Sequence, residues 1–151
     1  MLYSLEKISV LLVDDDQDDI DLFQLAFSKV KVKSSVSFLK NGLEAIEYFQ
    51  NPENEIPSIL FLDLNMPLMG GKEVLYKLRA DERFRNLPIA IYSTSNSEGD
   101  IEDTLSLGAN IYIVKPYNFT KLVEIIEKVL KVQWQYETSQ LDMRNYLLVV
   151  E

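Results

Sequence analysis

Residues 59–71 read ILFLDLNMPLMGG, and this stretch indicates the kind of sheet and a strand end that carries a reactive side chain. The four apolar residues 59–62 have the length of a strand and not of a helix. They are continuous rather than alternating, which is typical of a parallel strand covered by helices on both faces. Asp63 follows at once, and a Gly-Gly pair comes before the next helical pattern. The stretch therefore predicts a buried strand that ends in a carboxylate.

The same pattern recurs on both sides of this stretch. Apolar, β-branched runs predict four further strands, at residues 8–13, 36–39, 89–92 and 111–114. Apolar residues at helical spacing predict five helices, which contain Ile20, Phe23, Phe27 and Val30; Leu43, Ile46 and Phe49; Val74, Leu75 and Leu78; Ile101 and Leu105; and Leu122, Ile126, Val129 and Leu130. Strands that alternate with helices predict an α/β fold, a doubly wound parallel sheet built from right-handed βαβ units.

Composition narrows the classes of function. The 151 residues suit one domain. A net charge of -9 disfavours binding to nucleic acid or to anionic lipid. The chain has neither Cys nor His, which excludes disulfides, thiolate or imidazole metal sites and Ser-His-Asp triads. Any chemistry within the chain must use carboxylates, hydroxyls and ammonium groups.

The sequence gives no sign of export or of a membrane partner. The N-terminal residues show no secretory signal pattern, and the longest apolar runs are far too short to cross a bilayer. We therefore expect a cytoplasmic protein.

Candidate functional residues follow four of the five predicted strands. They are Asp14, Asp15 and Asp16 after the first strand, Asp63 after the third, Ser93 and Thr94 after the fourth, and Lys115 after the fifth. In a doubly wound sheet, the carboxyl ends of the strands border the crevice in which ligands bind. Clustered carboxylates repel one another unless a cation neutralises them, and ligands that are all oxygen favour Mg²⁺. A lysine beside them suits phosphate oxygens, so the set indicates phosphoryl transfer with Asp63 as the candidate nucleophile.

Each of these elements has a simpler explanation when it is taken alone. Acid runs such as residues 14–21 are more often a solvated face or the cap and first turn of a helix, and Asp18, Asp19 and Asp21 fit that description. A lone Lys-Pro or Ser-Thr pair indicates nothing. The joint occurrence of these residues at the ends of the right strands favours the functional interpretation.

Residues 63–71, DLNMPLMGG, together with the acids after Val13 and the pair Lys115-Pro116, resemble the receiver domains of response regulators in two-component signalling. The resemblance covers residues 7–131 and implies a flavodoxin-like sheet of five strands in the order 2-1-3-4-5, with five helices. It also implies the roles of individual residues: Asp63 as phosphoacceptor; Asp14, Asp15, Asp63 and the backbone carbonyl of Asn65 as ligands of Mg²⁺; Lys115 as the partner of the phosphoryl group; Ser93 as the switch hydroxyl; and Tyr112 as the aromatic that turns inward on activation.

Two details of the motif depart from the family or leave a choice open, and a third matches it. With Asp14, Asp15 and Asp16 in a row, the metal-binding pair could be shifted by one residue, although the first two match the family. Gly70 replaces an acidic residue that is common before the final glycine of the motif. The Lys115–Pro116 bond resembles one that is usually cis in the family.

The resemblance implies a stand-alone response regulator rather than an enzyme that acts on an outside substrate. A sensor histidine kinase or phosphotransfer protein would donate the phosphoryl group in trans, because this chain has no His, and self-catalysed hydrolysis would remove it. Two alternatives stay open. A phosphatase of the haloacid dehalogenase type needs a second Asp two residues after the nucleophile, where this chain has Asn65. A pseudo-receiver would keep the fold without being phosphorylated.

Residues 132–151 form a C-terminal extension beyond the five strand-helix units, too short for a DNA-binding or enzymatic output domain. Output would therefore be protein contact, with Trp134, Tyr136 and residues 147–150 as anchors for a partner or for a second copy in a homodimer. Alternatively, Trp134 and Tyr136 continue the last helix and the end frays. Stand-alone receivers with such arms resemble those that serve phytochrome-type or other hybrid sensor kinases.

Overall fold

The computed structural model of the protein describes residues 8–131 and the pair 147–148. Its strands are β1 Ile8–Val13, β2 Ser34–Leu39, β3 Ile59–Leu62, β4 Ile89–Ser93, β5 Ile111–Val114 and β6 Leu147–Leu148. They form one sheet in the order β2-β1-β3-β4-β5-β6, and every neighbouring pair is parallel. The order of the first five strands confirms the doubly wound, flavodoxin-like fold.

Five helices follow the first five strands, as predicted. They are α1 Gln17–Ser28, α2 Gly42–Gln50, α3 Gly71–Arg79, α4 Glu98–Ser106 and α5 Phe119–Lys131. A 3-10 turn, Glu82–Phe84, precedes β4 and was not predicted. Val30, which the spacing assigned to the first helix, lies beyond its end and packs against the core from there.

The central strands are covered on both faces. All four residues of β3 are buried, and so are the last four of β1. Alternate residues enter two apolar clusters, so that Leu11 and Val13 face α2 and α3 while Val10 and Leu12 face α1 and α5. At the edge of the sheet, β2 begins two residues earlier than predicted, because Ser34 and Ser35 also pair with β1. The continuous apolar run in β3 therefore indicated its double burial correctly.

The sixth strand was not predicted. It lies beside β5, where Leu147 pairs with Tyr112 and Leu148 pairs with Ile113. Trp134 and Tyr136, the anchor residues predicted in the extension, lie outside the described residues. The extension thus contributes at least one pair of residues to the sheet, beside β5, which would otherwise be one of its two edge strands.

Within the described residues, no helix is both long enough and apolar enough to span a lipid bilayer.

Leu68 is strained. In the described part of the chain it is the one residue other than glycine with a positive φ, +70°, and its side chain is 83% exposed. A leucine in this region costs about 1–2 kcal/mol, whereas Asn adopts it more readily. We therefore expect Leu68→Asn to raise the free energy of unfolding by about 0.5–1 kcal/mol, as measured by urea denaturation. Leu68→Ala is the control, because it removes the same exposed side chain but keeps the backbone cost. An equal gain in both variants would show that the backbone is not the source.

Candidate functional site

Backbone hydrogen bonds carry the sheet one residue past the ends of three strands. The Asp14 N–H donates to the carbonyl of Leu39 at 3.1 Å, and the Asp63 N–H donates to that of Val13 at 2.9 Å. The Lys115 N–H donates in the same way to Ser93 at 2.8 Å. These bonds fix the point at which each functional side chain leaves the sheet, all at the same edge.

Three carboxylates meet at this edge. Asp14, Asp15 and Asp63 each place one oxygen within 4.8 Å of the oxygens of the other two. Asp14 and Asp63 are buried, whereas Asp15 is exposed. Carboxylates with an open side suit a hard cation such as Mg²⁺, which keeps several of its waters when it binds. The donor set therefore fits the predicted metal.

Asp16 does not join this group. Its side chain caps α1, where Oδ1 accepts hydrogen bonds from the N–H groups of Asp18 at 2.9 Å and Asp19 at 3.4 Å. Such a cap satisfies backbone donors that the first turn of a helix leaves without partners. The geometry thus brings Asp14 and Asp15, not Asp16, to Asp63. Asn65 follows in the loop after β3, and its side chain is exposed.

Lys115 reaches into the acid cluster from the end of β5. Its Nζ lies 2.8 Å from Asp14 Oδ2, 2.7 Å from Asp19 Oδ2 and 3.8 Å from Asp63 Oδ1. Asp19 lies in the first turn of α1, as the sequence pattern predicted, but its contact with Lys115 was not predicted. A residue in that turn can also face the crevice when the helix begins directly after the strand-end acids. The signal was the spacing, since Asp19 comes one helical turn before Phe23, which faces the core.

The Lys115–Pro116 peptide bond is trans, as is every peptide bond among the described residues, so the expectation of a cis bond is wrong for this structure. The trans form is the one that a bond before proline prefers, by about 0.5–1 kcal/mol.

Burial and mutual repulsion raise the pKa values of the two buried carboxyl groups. Burial raises the pKa of Asp63 to about 7; the Lys115 charge opposes this rise, and the charges of Asp14 and Asp15 add to it. Burial likewise raises the pKa of Asp14. Burial would lower the pKa of Lys115, but its hydrogen bonds to Asp14 and Asp19 more than offset this and raise it. A divalent cation would favour the ionised form of Asp63, which is the form that can act as a nucleophile.

The two predicted switch residues, Ser93 and Tyr112, both form hydrogen bonds with the backbone of Ser95. Ser93 is fully buried at the end of β4, and its Oγ accepts a hydrogen bond from the Ser95 N–H at 3.1 Å. Tyr112 is also fully buried, and its hydroxyl donates to the Ser95 carbonyl at 2.7 Å. The aromatic ring therefore points inward in this structure. Thr94, between the two serines, is exposed.

The loop that contains Ser95 is linked through hydrogen bonds and an ion pair to helices α4 and α3. The Ser95 hydroxyl donates to Asp100 Oδ2 at 2.5 Å, and Asp100 Oδ1 pairs with Lys72 Nζ at 2.7 Å. Lys72 belongs to α3 and Asp100 to α4. Ser95 was not among the candidates at the strand ends. It contacts the switch residues chiefly through its backbone N–H and carbonyl groups, and the type of a residue does not predict such contacts.

Comparisons with known proteins agree with this geometry. Residues 10–127 match the family model of the response regulator receiver domain. The chain is 32% identical to the chemotaxis protein CheY1 of Helicobacter pylori over 123 residues, which are 82% of this chain and 97% of that protein.

Two solved structures are similar to most of the chain. The phosphorylated cyanobacterial phytochrome response regulator RcpA is 32% identical, with a TM-score of 0.73 over 82% of this chain and 91% of that one. The Mn²⁺-bound form of response regulator Rcp1 is 25% identical, with a TM-score of 0.73 over 90% of this chain and 96% of that one. The fold, the strand-end residues and these matches agree: the chain belongs to the family of response regulator receiver domains.

Proposed function

We propose that this receiver domain accepts a phosphoryl group on Asp63 from the phosphohistidine of a sensor histidine kinase or a phosphotransfer protein. The observation that carries the proposal is the buried Asp63 carboxylate, which lies beside Asp14 and Asp15 and 3.8 Å from the Lys115 ammonium. Asp63 can attack phosphorus here while the Lys115 ammonium offsets part of the negative charge. Asp14, Asp15, Asp63 and the carbonyl of Asn65 would hold Mg²⁺; the all-oxygen set also suits Mn²⁺, the ion in the Rcp1 structure.

The transfer is a displacement at phosphorus. A carboxylate oxygen of Asp63 forms the new O–P bond while the N–P bond of the donor imidazole breaks, and its electron pair returns to the ring nitrogen, which takes a proton from solvent. Mg²⁺ held by these residues would supply positive charge to the phosphoryl oxygens and to Asp63. Lys115 adds a second positive charge, and the Ser93 hydroxyl turns to donate a hydrogen bond. Attack by water at phosphorus later restores Asp63 and releases phosphate, so the protein catalyses only its own dephosphorylation.

Phosphorylation would change protein contacts in the cytoplasm. The phosphoryl group carries about 1.5 to 2 negative charges, but it replaces the single charge of the ionised Asp63 carboxylate, so this buried edge of the sheet gains about 0.5 to 1. Ser93 would close on the phosphoryl oxygens, and the contact of Tyr112 with Ser95 would carry that movement to α4, whose residue Asp100 already holds Ser95. Residues 132–151 would serve as the arm for a partner or for a homodimer.

Intact mass measurement after incubation with Mg²⁺ and acetyl phosphate tests the proposal. We expect the wild type to gain one alkali-labile phosphoryl group and Asp63→Asn to gain none, because an amide is not a nucleophile of this kind. Asp21→Asn is the matched control, since it removes one carboxylate from an exposed position on α1, and it should be labelled like the wild type.

Two results would contradict the proposal. A wild-type protein that stays unlabelled would be a pseudo-receiver, and a label that persists in Asp63→Asn would lie on another residue. Sustained turnover of phosphate esters without an adduct would instead support the phosphatase alternative.

A further inference from the structure

Asp19 and Tyr92 form a second binding place for the Lys115 ammonium, on the side of the crevice that faces α1. We propose that Asp19 is a positioning residue that holds this ammonium away from Asp63 in the unphosphorylated protein and so restrains phosphorylation. The inference rests on the proposed role of Asp63 as phosphoacceptor.

The distances show where the lysine charge is held. Lys115 Nζ donates hydrogen bonds to Asp19 Oδ2 at 2.7 Å and to Asp14 Oδ2 at 2.8 Å. The nearest oxygen of Asp63 is 3.8 Å away, which is too long for a hydrogen bond. Charge-assisted bonds of the shorter kind are the strong ones. Lys115 is therefore hydrogen-bonded to Asp14 and Asp19, which are not the proposed phosphoacceptor. It lies near Asp63, which is, but is not hydrogen-bonded to it.

Tyr92 completes this binding place. The Lys115 ammonium lies 5.2 Å from the centroid of the Tyr92 ring, within the range of a cation–π interaction. Tyr92 is 4% exposed, and its ring packs edge-on against Phe23 and Phe61. The ring thus lies in the core between β4 and α1 and stabilises the ammonium on the α1 side.

Helix α1 fixes Asp19 in the same direction. Phe23 comes four residues after Asp19, so both side chains lie on one face of the helix. Phe23 is fully buried against Tyr92 and Phe61, which holds that face toward the sheet. Core packing therefore sets the face of α1 from which Asp19 projects, and that face borders the crevice.

The contact between Asp19 and Lys115 opposes phosphorylation, because the ammonium cannot keep its best geometry both to Asp19 and to a phosphoryl group on Asp63. When a phosphoryl group forms on Asp63, the ammonium is drawn toward its oxygens and away from Asp19. The lysine side chain is only 9% exposed, so water compensates little for the lost contact. Without the charge of Asp19, the ammonium would be held by Asp14 and Asp63 alone and would stand ready for the incoming phosphoryl group.

The test compares rates of labelling by acetyl phosphate and Mg²⁺, followed by intact mass. We expect Asp19→Asn to raise the initial rate about three- to tenfold over wild type. Asp18→Asn is the matched control, because it removes the same charge from the same helical turn at an exposed position, and it should stay within about twofold. Asp19→Glu restores a carboxylate and should bring the rate back to within about twofold of wild type. Asp19→Ala, a second neutral variant, should behave like Asp19→Asn, and thermal denaturation of each variant confirms folding.

Equal acceleration by Asp18→Asn and Asp19→Asn would overturn the inference, because the effect would then be that of net charge alone. An unchanged or lower rate in both neutral variants of Asp19 would overturn it too. If the wild type takes no phosphoryl group, or if Asp63→Asn keeps the label, the proposed function fails and this inference falls with it. If the wild type is labelled on Asp63 and only the Asp19 result is negative, this inference fails alone.

Discussion

In the presence of a chelator, the free energy of unfolding is expected to fall as the pH rises from about 4 to about 7, and Asp63→Asn is expected to remove most of this fall. Burial raises the pKa of Asp63 from 3.8 to about 7. Between these two values the folded protein keeps a proton that the unfolded chain has lost, so each rise in pH favours unfolding. A difference of about three pKa units corresponds to about 4 kcal/mol. The raised pKa of Asp14 acts in the same direction.

Urea denaturation in EDTA at pH 5 and at pH 7.5 measures this effect. At pH 7.5, Asp63→Asn should be about 2–4 kcal/mol more stable than wild type, since it no longer confines a negative charge beside Asp14 and Asp15. Mg²⁺ should recover much of the lost stability of the wild type at pH 7.5 and less at pH 5, where the cation competes with a proton. Asp21→Asn, at an exposed position, should show the wild-type pH dependence. Equal stability of wild type and Asp63→Asn at both pH values would contradict the prediction.

The sequence predicts the site well wherever a residue's place follows from the end of a strand. Asp14, Asp63 and Lys115 come directly after buried parallel strands, and the carboxyl ends of those strands share one edge of the sheet. Because neighbouring strands fix one another's register, the approach of these side chains requires no knowledge of loops. The same reasoning left open whether the metal-binding pair is Asp14 and Asp15 or is shifted by one to Asp15 and Asp16, since only the start of α1 decides that Asp16 becomes the cap.

Residues whose role depends on the rotation of a helix or on the backbone of a loop were not predicted. Asp19 faces Lys115 because the packing of Phe23 sets the rotation of α1 about its axis. Ser95 meets Tyr112 through its carbonyl group, which every residue has. The strand β6 consists of two residues, which is too short a segment for any periodic pattern to reveal.

Gly71→Ala is expected to lower the free energy of unfolding by about 3 kcal/mol or more and to slow phosphorylation sharply. A Cβ at this position would lie 2.2 Å from the carbonyl oxygen of Asp63 and 2.9 Å from the Cα of Leu64. Both are backbone atoms, so no side-chain rotation can relieve the overlap. The Gly71 N–H also donates to the Leu64 carbonyl at 2.9 Å, which ties α3 to the segment that would have to move. An added methyl group would therefore displace the backbone on which the phosphoacceptor stands.

Gly99→Ala is the matched control for this prediction. Gly99 lies in the first turn of α4, and a Cβ added there would meet no atom within 4 Å. The same methyl group should therefore raise the free energy of unfolding by about 0.5–1 kcal/mol, since alanine loses less conformational freedom in a helix. Urea denaturation and acetyl phosphate labelling of both variants would separate the two causes. If the two substitutions changed stability alike, the close approach of α3 to Asp63 would not be what holds the loop after β3 in place.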